Sequence, residues 1–77
     1  MSEFQRIRFD ARVMGGKPCL RGLRVTVGTI VGLVATGRST ADILVLYPYL
    51  EEDDIREALA YAAWRVEEVE VPLRRPA

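Results

Sequence analysis

Two stretches hold most of the side chains that could do chemistry: VMGGKPCLRGLRVTV at residues 13–27 and EEDD at residues 51–54. The first has the outline of a phosphate grip. A nucleotide-binding loop of that kind needs G-x-x-x-x-G-K-[ST] between a strand and a helix. Here Gly15-Gly16-Lys17 runs into Pro18, which has no N–H to donate, and no hydroxyl follows the lysine to hold magnesium. The dinucleotide pattern G-x-G-x-x-G is absent as well. Gly16 and Gly22 are therefore expected to serve the backbone at positions of positive φ, with Pro18 stiffening the chain between them. Lys17, Arg21 and Arg24 then ride on a shaped arm. With Arg6, Arg8 and Arg12 they make a basic surface, and nucleic-acid phosphate is the target such a surface fits.

The acidic run could in principle place paired carboxylates for acid–base or metal chemistry. It also complements the positive end of a helix macrodipole if a helix starts there, and this is the favoured reading. The chain has no histidine, which removes the usual general base and the commonest metal ligand. Cys19 is its single cysteine, so zinc sites and nucleophilic triads lack their parts. No enzyme, metal or cofactor is expected.

The elements that must position these residues are legible in outline. Ile7, Phe9, Ala11 and Val13 alternate with Arg8, Asp10 and Arg12, the period of a half-buried strand. Arg21-Gly22 is a turn candidate before β-branched Val25, Thr26 and Val27. Residues 6–26 thus read as a β-ribbon or extended arm. Residues 27–36 carry apolar side chains at 27, 30, 31 and 34, a helical spacing, and Gly37 supplies the stop. Gly28 and Gly32 lie on one side of this helix, and a close approach to that side is one reading of them. Ser39 and Asp42 form a capping box for a short second helix, on which Ile43, Leu46 and Tyr47 share a face and which Pro48 ends. A third helix is expected from about Glu51 to Val66, with Leu50 and Ile55 as a hydrophobic staple. Ile55, Leu59, Ala62 and Val66 form its core stripe. Tyr61 and Trp64 project from another side, as a candidate partner or dimer surface. In the tail Val69, Val71 and Leu73 alternate with acids or proline. They read either as a strand offered to a partner or as a frayed end.

With 77 residues, a single domain over 1–77 is expected: arm 6–26, three-helix core 27–66, tail 67–77. Such a small core is marginal, and with 49% hydrophobic residues a homodimer is a natural source of extra stability. The N-terminal stretch MSEFQRIRFD has no apolar signal region, and no segment has the ~20 apolar residues of a membrane span. A cytoplasmic protein is expected. Net charge is zero, yet residues 1–38 carry seven basic and two acidic side chains and residues 39–73 two basic and nine acidic. The halves either face different partners or present solvated faces. Helix, short helix, turn and longer helix is the outline of a helix-turn-helix. Its last helix, though, begins with four carboxylates, which phosphates repel.

A longer pattern resembles a known family. Gly15-Gly16-Lys17-Pro18, Leu20-Arg21-Gly22 and Arg24-Val25 are followed by Gly37, Ser39, Ile43, Leu46, Tyr47-Pro48, Leu50, Asp54-Ile55, Ala58-Leu59 and Tyr61-Ala62. This order resembles the domain-of-unknown-function 433 family over roughly residues 6–64. Members often have Thr or Ser capping the third helix, where this chain has Glu51, and Pro before the first, where it has Thr26. The family is grouped with helix-turn-helix domains, and many members are regarded as VapB-type antitoxins encoded beside a PIN-like nuclease. The resemblance implies a mainly α, homeodomain-like fold behind a short β-ribbon. It also implies an antitoxin that silences a ribonuclease and represses its own operon by binding operator DNA. The alternative is a stand-alone DNA-binding regulator.

Overall fold

A computed structural model describes residues 4–68. The protein is mainly helical: three helices follow a short two-stranded antiparallel sheet. The elements are β1 (Ile7–Arg8), β2 (Cys19–Leu20), α1 (Val27–Ala35), α2 (Thr40–Leu46) and α3 (Glu52–Glu68). Val69, Val71 and Leu73 lie outside the described residues.

The expected ribbon is much reduced. Ile7 pairs with Leu20 and Arg8 with Cys19, and beyond them the chain turns. Of the alternating set only Ile7 is buried, while Phe9 is 61% exposed. A 3₁₀ turn at Met14–Gly16 interrupts the arm, which is why the period of two fails there. Gly16 and Gly22 do adopt positive φ, at 83° and 74°. Arg21 (φ 49°) and Gly22 form the centre of a turn in which the Leu23 amide donates to the Leu20 carbonyl at 2.8 Å. Positive φ at both central residues is what a primed hairpin turn requires. The turn brings Leu20 back to Val25, whose carbonyl accepts from the Leu20 amide at 2.9 Å.

Each helix has an identifiable start or stop. Thr26 caps α1 by accepting from the Thr29 amide at 3.0 Å. Gly37 ends it in a Schellman motif: the Gly37 amide donates to Val34 and the Arg38 amide to Leu33, both at 3.0 Å. The Ser39–Asp42 box at the start of α2 is complete in both directions. The core is built from Ile7 and Leu20 of the sheet, Val25, Val27 and Ile30, Ile43 of α2, and Leu50, Ile55 and Ala58. Leu50 and Ile55, the expected staple, are both in it.

Three expectations about helix faces need correction. Leu46 and Val66 are exposed, at 48% and 72%. Each lies in the last turns of its helix, beyond the residues that the core encloses. The rest of the expected α3 stripe holds, with Ile55 buried and Leu59 and Ala62 packed against the core, and Asp54 and Ala58 are buried beside them. The glycine side of α1 meets nothing closely: a methyl on Gly28 would come no nearer than 3.8 Å to Thr26 Oγ1, and one on Gly32 would meet no atom within 4 Å. Gly32→Ala is therefore expected to stabilise the fold by about 0.5–1 kcal/mol, since alanine lowers the entropy lost in a helix interior. A thermal melt of the variant checks this.

Candidate functional site

The basic arm and the acidic start of α3 meet at one side chain. Asp54 is 0% exposed, in the first turn of α3, on the stripe it shares with Ala58. Its Oδ1 accepts from Arg21 Nε and from Arg6 Nη1, each at 2.9 Å. Its Oδ2 accepts from Arg21 Nη2 and from the Glu51 amide, each at 2.7 Å. Arg21 thus grips the carboxylate with two parallel bonds, the geometry that makes arginine–carboxylate pairs strong and directional. The Glu51 bond closes the first turn of α3, where backbone donors have no helical partner. No buried side-chain nitrogen or oxygen among the described residues lacks a partner.

Both arginines reach further. Arg21 Nη2 donates to the Tyr49 carbonyl at 3.2 Å, tying the turn after α2 to the same point. Arg6 Nη1 donates to Glu51 Oε1 at 2.8 Å, and the Arg6 amide donates to Glu57 Oε1 at 2.6 Å. The Arg21 amide donates to the Arg6 carbonyl at 2.6 Å. Burial pushes the Asp54 carboxyl up, but the Arg21 guanidinium, the Glu51 amide and the Arg6 guanidinium outweigh it and hold it down at about 2. Hydrogen bonds to Glu51 and Asp54 raise the Arg6 guanidinium in turn, and that to Asp54 raises Arg21.

The six cations of the arm therefore divide. Arg6 and Arg21 are turned onto α3, and sequence spacing, with 48 and 33 residues between partners, held no sign of it. Arg12 holds Asp10, its own neighbour in the loop, at 3.2 Å. Arg8 folds back on the Gln5 and Ile7 carbonyls. Lys17 and Arg24 are exposed, with no ion pair among the described residues. The candidate nucleic-acid surface thus narrows to Arg8, Arg12, Lys17 and Arg24. Around α3, Glu51, Glu52 and Asp53 remain largely exposed, so its N-terminal end presents negative charge.

A second feature gathers around the expected aromatic face. Tyr61 packs edge-on against Phe4 with ring centroids 5.3 Å apart. Trp64 lies 5.7 Å from Phe4 and 5.9 Å from Tyr61, and Phe9 6.1 Å from Tyr61. Tyr61 is half-buried within this cluster, while Trp64 stays 44% exposed. Sequence reasoning named the two α3 rings and missed Phe4, just before the arm, and Phe9, on it. Their signal was the apolar residue on each side of Arg6–Arg8. An open cleft of about 380 Å³ lies next to the cluster, lined by Phe4, Arg6, Asp53, Arg56, Glu57 and Ala60. Among the described residues no three His, Cys, Asp or Glu side chains are grouped to hold a metal ion. No helix there is long and apolar enough to cross a membrane.

Comparison with known proteins gives a family and no activity. The family model described as a protein of unknown function (DUF433) matches residues 7–62, a span that runs from β1 to Ala62 of α3. An uncharacterized protein of Sinorhizobium fredii, y4eO, is 40% identical over 50 residues, covering 65% of this chain. The matched stretch spans 23% of that relative's length. No solved structure matches significantly.

Proposed function

We propose, for a chain that belongs to the DUF433 family, the role of an antitoxin: a small helix-turn-helix-like protein that binds and neutralises a PIN-like ribonuclease. The observation that carries this reading is the charge at the start of α3. In a DNA-reading helix-turn-helix the last helix enters the major groove N-terminal end first. Here that end displays Glu51, Glu52 and Asp53 at its surface, with Arg6 and Arg21 turned inward onto buried Asp54 and Arg56 lying along the same helix against Asp53 and Glu52. Such a surface repels a phosphate backbone and suits a basic protein. A nuclease that grips RNA has a positively charged cleft, so an acidic helix end complements it. Co-expression with a PIN-like nuclease, followed by an RNA-cleavage assay, tests the role. Suppressed cleavage and a co-purifying complex are expected. Undiminished cleavage with no complex overturns it.

DNA binding by the arm is the second reading, and one observation favours it. Lys17 and Arg24, on the same arm as Arg8 and Arg12, are exposed and without an ion pair among the described residues. This surface would contact operator DNA away from α3, as part of autoregulation or as the protein's main task. A gel-shift titration on its own promoter at two salt concentrations decides the matter. Phosphate-dominated binding weakens steeply with salt, and no shift at low salt rules it out.

A further inference from the structure

The second half of α3 runs on with little packed against it. Ala60, Ala63, Trp64, Arg65, Val66 and Glu67 are all exposed, and Trp64 is covered along one edge by Phe4 and Tyr61. A helix end that buries only one edge gains little over its own marginal stability, and a partly uncovered aromatic face of this kind marks an interface.

The charges on this face indicate what covers it. Arg56, Ala60, Ala63 and Glu67 follow one another at spacings of four, three and four, which lines them up on one side of the helix. That side points away from buried Ile55 and Ala58. Arg56 stands as far before the midpoint of the two alanines as Glu67 stands after it. Turning the helix end for end therefore puts the cation where the anion was. The face is complementary to itself in the antiparallel sense, as a two-fold interface requires. Its centre is two alanines, small enough for close helix approach. Arg56 already reaches along its own helix to Asp53 and, at 3.8 Å, to Glu52, so its guanidinium is held at the edge of the face.

We propose that the occupant of this face is a second copy of the chain, with α3 packed antiparallel on α3. Arg56 of each copy meets Glu67 of the other, the alanines pass at the centre, and the two Trp64 rings share one edge. This rests on the homodimer expected from the small core, and on nothing about the toxin. It is tested on the full chain alone by sedimentation equilibrium. The wild type is expected to dimerise. Glu67→Arg, in an exposed last turn, weakens the dimer roughly tenfold by opposing two cations across the interface. Arg56→Glu does the same by opposing two anions. Arg56→Glu combined with Glu67→Arg restores affinity to within about threefold of wild type, because the swap recreates the pair. Circular dichroism separates a lost interface from a lost fold, and Ala63→Glu is the variant least able to disturb folding. A wild type monomeric at concentrations on the order of 100 µM overturns both the dimer and this face. A dimer indifferent to Glu67→Arg and Ala63→Glu overturns the face alone. One weakened by Gly32→Ala instead places the contact on α1 and overturns the face too.

Discussion

Asp54→Ala is expected to cost the domain about 3–5 kcal/mol, the range for breaking a buried ion pair by removing one partner. A chain of this length has roughly 4–12 kcal/mol of stability in all, so the variant loses a quarter or more of it and, at the low end of that range, is unfolded at room temperature. The loss has three parts. Arg21 and Arg6 would each keep a partly shielded charge without its carboxylate, and the Glu51 amide would lose its acceptor at the start of α3. Asp54→Asn keeps the shape and an acceptor oxygen but not the charge, and should fall between alanine and wild type. Arg21→Lys should also weaken the fold, because an ammonium cannot make the two parallel bonds. Neighbouring Asp53→Asn should change stability by less than about 0.5 kcal/mol, since exposed pairs contribute little. Urea unfolding of the four variants measures the order. An Asp54→Ala protein within 1 kcal/mol of wild type would mean that the clamp holds nothing.

The same clamp sets an acid limit. Asp54 titrates near 2 when folded and near 3.9 when unfolded. A depressed folded value adds stability that is present in full above the unfolded value. That stability drains away as pH falls from about 4 towards 2. Asp42, held down by the Ser39 amide, and Asp10, held down by Arg12, add to the loss in the same direction. Asp54→Asn should flatten this part of the pH profile. If the two profiles run parallel, the carboxylate is not the group that senses acid.

What could be read from the sequence divides along a physical line. Local chemistry was legible. Ser39 and Asp42 cap each other across three residues, Gly37 ends α1, and Arg21-Gly22 turns the chain, because each depends on neighbours in sequence. Leu50 and Ile55 were found in the same way. What was not legible depends on partners far along the chain. Arg6 and Arg21 looked like free cations because their anion lies more than thirty residues away. Asp54 looked like one of four helix-start acids, although it alone sits in line with Ala58 and faces inward. That alignment was the available signal: an acid in a row of small buried residues needs a cation. Val66 shows the converse. Its spacing was right for the core, but the core reaches along α3 only as far as Ala62.

The charge split between the halves of the chain gains a different meaning from the clamp. Opposite charge on residues 1–38 and 39–73 serves partly to bring the arm onto α3. What is left over, exposed carboxylates at one end of α3 and exposed cations on the loops, is what a partner meets. The proposed antitoxin surface and the second, DNA-binding reading thus draw on different remainders of one internal neutralisation. Neither can be tested with Asp54 variants, which change the fold first.

Ile43→Ala should have the second largest effect, about 3 kcal/mol, within the usual range for removing a fully buried isoleucine. The size follows from how α2 is held. It has seven residues, far fewer than the ~12–15 a helix needs to persist alone in water. Ile43 is its one fully buried side chain. Leu44 and Tyr47 only lean on the core. Val45, 79% exposed, is the internal control, and Val45→Ala should stay within about 0.5 kcal/mol of wild type. Hydrogen exchange shows where the loss falls. The Ile43 and Tyr47 amides, which donate to Ser39 and Ile43, should exchange faster in Ile43→Ala than amides in the first half of α3. The reason is that α3 keeps Leu50, Ile55 and the Asp54 clamp when α2 loosens. Equal acceleration in both helices would show instead that α2 and α3 open as one unit. In that case the Arg21 bond to the Tyr49 carbonyl transmits the loss, and the turn between the two helices is as firmly held as the helices themselves.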